Sequence, residues 1–328
     1  MELAIYFPDM ERLLDMDDAL RVIDMKKLST YIMTTMYVQN PNIYDYSVNL
    51  TMGQWIQAIR NSGLDFSRLY FGQEFCANLI PPTDEIEQAY YFSRQMEWDF
   101  TYVTGVANTE VGLEKIRKNL DKLKELAPDC EVVVNDWAML HILPNEYPSF
   151  KIVIGRLLNK QTRLNLFMKM GSFPMHTEGI ETPADKIREN QLSAYADISL
   201  SNPDYLSELK KMGVVGADLD MTPQGVIRPA DGWGLNLGFY YPWAYIAVGR
   251  NCATAGTADK VRTFVMTDRP CGKLCKKINC SPSMVQFDFP IIQRGPALFI
   301  QNEEFNQMYL ENKIIKYERL IYQPGIPI

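Results

Sequence analysis

Between residues 68 and 220 the chain alternates apolar runs of strand length with helix-patterned stretches, and no other feature narrows its folding options as much. The runs are RLYFG (68–72), DFTYVTG (99–105), CEVVVND (130–136), KIVIG (151–155), ADISL (196–200) and VVGADLD (214–220), with YYPWAYIAVG (240–249) as a further strand. Between them the spacing predicts helices over about 84–97, 109–126, the short WAMLHIL segment and DYLSELKKMG. The second of these opens on Thr109 and Glu110 and stops before Pro128, the usual start and stop signals of a helix. Continuous apolar strands separated by helices imply parallel pairing, with the sheet covered on its outside. The number of repeats suits one α/β barrel of TIM type better than two half-sized domains.

The expected organisation is therefore a single barrel domain over 1–328. Residues 1–50 are a candidate N-terminal extension, and 283–328 form a small β-rich tail with the closing strand. Two segments near the start, ELAIYF and STYIMTTMYV, both read as first strands, and sequence does not choose between them. GWGLNLG (232–238) resembles a phosphate loop but lacks the P-loop lysine, so it reads as a turn.

With 328 residues, 47% of them hydrophobic and 22% charged, the chain is neither disordered nor collagen-like. No run reaches the roughly 18 to 20 continuous apolar residues that a membrane span needs. The opening MELAIYFPDMERLLDMDD has an acidic flank and no basic start, unlike a signal peptide, so a cytoplasmic location is expected. A net charge of −7 disfavours gripping long nucleic acid through its phosphates, although it leaves room for a local basic patch.

Six cysteines stand out in a chain expected to be reduced, and four of them fall between Cys252 and Cys280. Clustered thiols in a reducing compartment point to metal or redox chemistry before disulfides. Cys130 begins an apolar strand and reads as a small core residue. Cys271, Cys275 and Cys280 lie in PCGKLCKKINC, a loop with Pro and Gly to bend it and with Lys273, Lys276 and Lys277 to favour thiolates. Structural zinc usually takes two short Cys pairs, and only one is present here. The dispersed spacing suits an iron–sulfur cluster better, with zinc and no metal as the alternatives. Cys76 follows the strand ending at Gly72, and Cys252 follows Gly249. A site built from these two and the 271–280 loop would lie at a barrel mouth, where TIM barrels place their chemistry.

Four stretches carry a family resemblance: LYFGQEFC (69–76), VVVNDWAMLHIL (132–143), AYIAVGRNC (244–252) and CGKLC (271–275). In their order they resemble the peptidase U-32 (collagenase-like) family, and most closely its non-proteolytic UbiV-type branch of oxygen-independent ubiquinone-hydroxylation proteins. Ala138 stands where the family's Asn-Asp-x-Gly corner has Gly, and Asn251 is inserted in the Gly-Arg-Cys element. The resemblance spans roughly residues 50–328. It implies a TIM-like barrel with a [4Fe-4S] cluster held by Cys76, Cys252, Cys271 and Cys275, with Cys280 spare or an alternative fourth ligand. It also implies oxygen-independent hydroxylation of a small molecule, in complex with a homologous barrel subunit or a second copy. A non-catalytic iron–sulfur subunit is the alternative. A peptidase is less favoured, since the sequence offers no nucleophile–base pair and no HExxH motif.

The remaining candidates each have a plainer reading. Asp136 could line a pocket with Asn135 or cap the helix that follows. Asp218 and Asp220 alternate along a strand end and could form an acid–base pair, but a solvated loop is the favoured expectation. Arg156 and Arg250 could clamp a substrate carboxylate, against a favoured surface ion pair. Tyr241, in the aromatic run FYYPWAY, could stack on a ligand or simply fill the core. His141 and His176 are isolated and suggest no triad or metal pair.

Overall fold

The computed structural model describes residues 1–20, 60, 63–107, 109–163, 190, 193–222, 225–257, 265–266, 271–277, 291–301 and 319–328. Eight parallel strands close a barrel: β1 (Glu2–Phe7), β2 (Phe66–Gly72), β3 (Asp99–Val103), β4 (Glu131–Val134), β5 (Lys151–Ile154), β6 (Val214–Asp220), β7 (Asn236–Tyr241) and, closing the ring between β7 and β1, a last strand at Arg319–Tyr322. The fold is the α/β TIM-like barrel expected from the alternation, with a small antiparallel sheet added. ELAIYF is the segment that enters the wall, while STYIMTTMYV, His176 and Cys280 lie outside the described residues.

The helices form where the sequence marks them. Short helices α1 (Met10–Leu14) and α2 (Met16–Leu20) follow β1. α3 (Thr83–Gln95) has Asp84 and Glu85 in its first turn, where the helix dipole favours negative charge, and buries Ile86 and Ala89. α4 (Glu110–Leu126) is capped by Thr109, whose side chain accepts from the Gly112 amide, and it buries Ile116, Leu120 and Leu123 on one stripe. α5 (Trp137–Glu146) and α6 (Pro203–Lys211) start at Asp136 and Asn202, each accepting from backbone amides. No helix among the described residues is long and apolar enough to cross a membrane.

Two strand expectations need correction. YYPWAYIAVG is not one strand: β7 ends at Tyr241, and β8 (Trp243–Val248) leaves the barrel to join an antiparallel sheet. Pro242 has no amide to donate, so the ladder breaks there. ADISL is not a strand either. Ile198 makes a single isolated bridge to Gln161, and β5 pairs directly with β6, which leaves no place in the wall. Its alternating apolar residues Ala196, Ile198 and Leu200 are buried all the same. GWGLNLG divides into a tight turn at Gly232–Gly234 and the start of β7.

The added sheet has the order β11 (Ile292–Arg294), β12 (Ala297–Gln301), β8. A two-stranded ladder joins β9 (Asn251–Cys252) to β10 (Val265–Met266), and the helix α7 (Ala253–Thr257) follows β9. The closing barrel strand, Arg319–Tyr322, is β13. Phe75, Trp243, Tyr245, Phe299, Ile326 and Ile328 pack with Cys76 and Cys275 into one apolar cluster. Phe75, Trp243 and Ile326 come from chain that has just left β2, β7 and β13, so the cluster sits at the carboxyl end of the barrel.

Candidate functional site

Four thiols from three separate segments converge on one cleft. Cys76 follows β2, Cys252 ends β9, Cys271 precedes a tight turn at Leu274–Lys276, and Cys275 lies within that turn. Together with Asn78, Leu79, Ala255, Leu274 and Gly295 they line a narrow pocket of about 10 Å³. Cys76, Cys252 and Cys275 are buried and Cys271 is half-buried. None of the four is in a disulfide. Cys252 lies beyond β8, not directly after a barrel strand as expected. The added sheet carries it back over the barrel end to meet Cys76.

Amide donors surround the sulfurs. The Ala255 amide donates to Cys252 Sγ at 3.3 Å, and Asn78 Nδ2 donates to Cys271 Sγ at 3.7 Å. Such donors stabilise sulfur in its anionic form. Burial works the other way, pushing the Cys76 thiol up to about 12 and the Cys275 thiol up to about 11. The loop lysines do not offset this. Lys276 turns to Asp9 at 2.8 Å and Glu11 at 3.5 Å, and the cation acting on Cys275 is the buried Arg294.

Four cysteine thiols are the donor chemistry of zinc as well as of iron–sulfur groups. Among the described residues no group of three or more His, Cys, Asp or Glu side chains is arranged to hold one metal ion. Cys130 packs half-buried against the barrel core, as its plain reading expects, and is not part of this cleft.

A second arrangement lies behind the thiols, and most of it was not visible in the sequence. Arg156 is fully buried, so the expectation of a surface ion pair is corrected. Its Nη2 meets Glu74 at 2.6 Å, its Nη1 meets Asp220 at 2.8 Å and the Trp243 carbonyl at 2.9 Å, and its guanidinium lies 4.0 Å from the centre of the Tyr240 ring. With its amide oriented to satisfy both neighbours, Gln323 accepts from Arg156 Nη2 at 2.9 Å and donates to Trp243 O at 3.0 Å. Arg163 closes the group by pairing with the other oxygen of Asp220 and stacking 3.9 Å from the Tyr245 ring centre. Glu74 and Arg163 were not anticipated. The one available signal for Glu74 was its place just past a strand end.

Asp218 and Asp220 do share a face of β6, but inside the barrel and wholly buried, not in a solvated loop. Asp220 is held by the two arginines. Asp218 accepts only a long bond from Tyr70 at 3.4 Å, and neither its Oδ2 nor the Tyr240 hydroxyl has a partner among the described residues. Gly238, opposite Asp218, has no room for a side chain, because a Cβ would collide with the carboxylate. Burial pushes the Asp218 carboxyl up to about 8. A carboxyl raised in the fold contributes stability below its unfolded pKa and loses it as pH climbs through the folded value. Asp218→Asn is therefore expected to raise stability at pH 8 by on the order of a few kcal/mol and to flatten the decline between about pH 4 and pH 8. Denaturant unfolding at both pH values measures this, and an unchanged pH profile would refute the neutral-carboxyl assignment.

The other sequence candidates have ordinary duties. Asp136 caps α5, accepting from Met139 N at 2.9 Å, while its second oxygen accepts from Ala107 N at 2.8 Å. Asn135 is buried and donates to the Thr104 carbonyl. Tyr241 is buried in the core beside Tyr322, with ring centres 6.4 Å apart. His141 and Arg250 are exposed.

Comparison with known proteins adds no relative: no family model matches the chain, and no curated protein and no solved structure is similar to it.

Proposed function

We propose that the chain is a [4Fe-4S] cluster-binding barrel protein that takes part in oxygen-independent hydroxylation or a related redox modification, as one subunit of a complex. The observation that supports it is the convergence of Cys76, Cys252, Cys271 and Cys275 on one cleft at the carboxyl end of the barrel. When bound, the cluster would supply one-electron chemistry. The chain's own part is to hold four thiols, direct amide donors at two of them, and wall the cleft with Leu79, Leu274 and Ala255. The hydroxylation and the homologous partner rest on the resemblance of the four cysteine-bearing and corner motifs. Oxygen-free purification should give a brown protein with about four irons and four sulfides per chain. A colourless, zinc-containing protein would overturn the proposal.

One observation favours a second reading, in which the cluster is structural or electron-transferring and the partner does the chemistry. The carboxyl end of the barrel interior, where such folds bind substrate, is filled by Glu74, Arg156 and Asp220, all fully buried. Turnover by the native complex separates the two readings. If replacing this chain's cysteines abolishes cluster binding but spares turnover, the catalytic reading fails.

A further inference from the structure

Charge is distributed unevenly along this acidic chain. From Gly249 to Cys280 the sequence carries seven Lys or Arg against two Asp or Glu, a local net of +5 in a chain of −7. That segment holds Cys252, Cys271 and Cys275, and four of its seven basic residues, Arg250, Lys273, Lys276 and Lys277, are among the described residues. Arg250, Lys273 and Lys277 are exposed beside these cysteines, whereas Lys276 is taken up by Asp9 and Glu11. The four thiols are also unequal: three are buried, and only Cys271 is half-exposed, two residues from Lys273.

We propose that this basic rim is the docking surface for an acidic one-electron carrier protein, with Cys271 as the edge through which charge passes. The inference rests on the iron–sulfur reading. A carrier needs a short path to the redox group and quick release, and both favour a small interface guided by opposite charge over a broad apolar one. A positive rim on a negative molecule orients such a partner from a distance, because the rest of the surface repels it. RNA would also be drawn to the rim, but the described stretches 249–257 and 271–277 that carry it contain no aromatic residue on which bases could stack. With a flavodoxin as carrier the step is a single electron: the anionic flavin hydroquinone becomes the neutral semiquinone, the cluster is reduced by one electron, and no proton or bond moves.

The test uses an acidic flavodoxin and the full chain purified without oxygen, with iron, sulfide and paramagnetic resonance measured before mixing. Binding is titrated with oxidised flavodoxin, and electron transfer is followed by stopped flow through the flavin semiquinone band. Both should weaken steeply with added salt. Lys273→Glu/Lys277→Glu should lower the association constant and the second-order rate at least about tenfold at low ionic strength. Lys273→Arg/Lys277→Arg should retain both, and the charge-matched Lys115→Glu/Lys118→Glu, on the exposed face of α4, should change neither. A chain without cluster overturns the iron–sulfur reading and this one with it, and the metal analysis reveals that before any mixing. A loaded chain whose binding and rate ignore salt and the Glu pair overturns the docking surface alone. Tighter, equally salt-sensitive binding of single-stranded RNA, lost in the same Glu pair, would assign the rim to nucleic acid instead.

Discussion

Cys252→Ala is expected to reduce the iron content of anaerobically purified protein from about four per chain to below about one, with loss of the brown colour. Cys252 is the sole cysteine that the β8–β9 excursion brings to the cleft, so no neighbour on its segment can replace it. Its sulfur accepts the Ala255 amide at 3.3 Å. Removing one of four thiolates leaves a corner open to water and oxygen. Cys130→Ala is the matched control, because that thiol packs against the barrel core and not the cleft, and iron should stay at about four. Cys280→Ala tests the fifth thiol: unchanged iron leaves Cys76, Cys252, Cys271 and Cys275 as the ligand set. Full iron retention in Cys252→Ala would dismiss the assignment of the cleft.

The largest stability effect is expected at Arg156. Arg156→Met removes the only partner among the described residues that bonds to both Glu74 and Asp220, and it does so where both carboxylates are fully buried. Breaking a buried pair from one side costs about 3 to 5 kcal/mol, because a charge is left without compensation. Asp220 keeps Arg163, so the greater burden falls on Glu74. Burial pushes the Glu74 carboxyl up even with Arg156 beside it, and without that cation it should rise further. A raised carboxyl loses stability as pH climbs, so the deficit of Arg156→Met should be larger at pH 8 than at pH 5. Adding Glu74→Gln should recover part of the loss and remove its pH dependence, which a double-mutant cycle by denaturant unfolding would measure. Should the Met variant not fold, Arg156→Lys retains one charge without the planar fork and should show a smaller deficit of the same sign. A loss under about 1 kcal/mol, equal at both pH values, would mean that the network does not hold the barrel end together.

Much of the architecture was legible because it depends on local pattern. Helix α4 announces itself with Thr109, a stripe of apolar residues and Pro128, and strands β2 to β6 are apolar runs that only a covered parallel sheet can bury. Failures came where the local pattern is ambiguous. ADISL has strand-like alternation, but alternation records only which side chains are buried, and these pack with a single bridge, Ile198 to Gln161, in place of a ladder. The aromatic run around Pro242 reads as continuous because apolar character crosses the point where the hydrogen-bond ladder cannot.

Local pattern was enough to specify the class of fold, most helix ends, and cysteine rather than histidine as the chain's clustered reactive residue. Those depend on spacing and residue type within a few turns of chain. It takes the folded chain to bring Cys76 and Cys252, 176 positions apart in the sequence, together with Cys271 and Cys275 around one pocket. The fold also makes Arg156 and the two β6 aspartates interior and not surface groups. The physical reason is the same in both cases. Burial and convergence depend on which strand ends face each other around a closed barrel, and a charged residue reads alike in sequence whether water or another charge completes its shell.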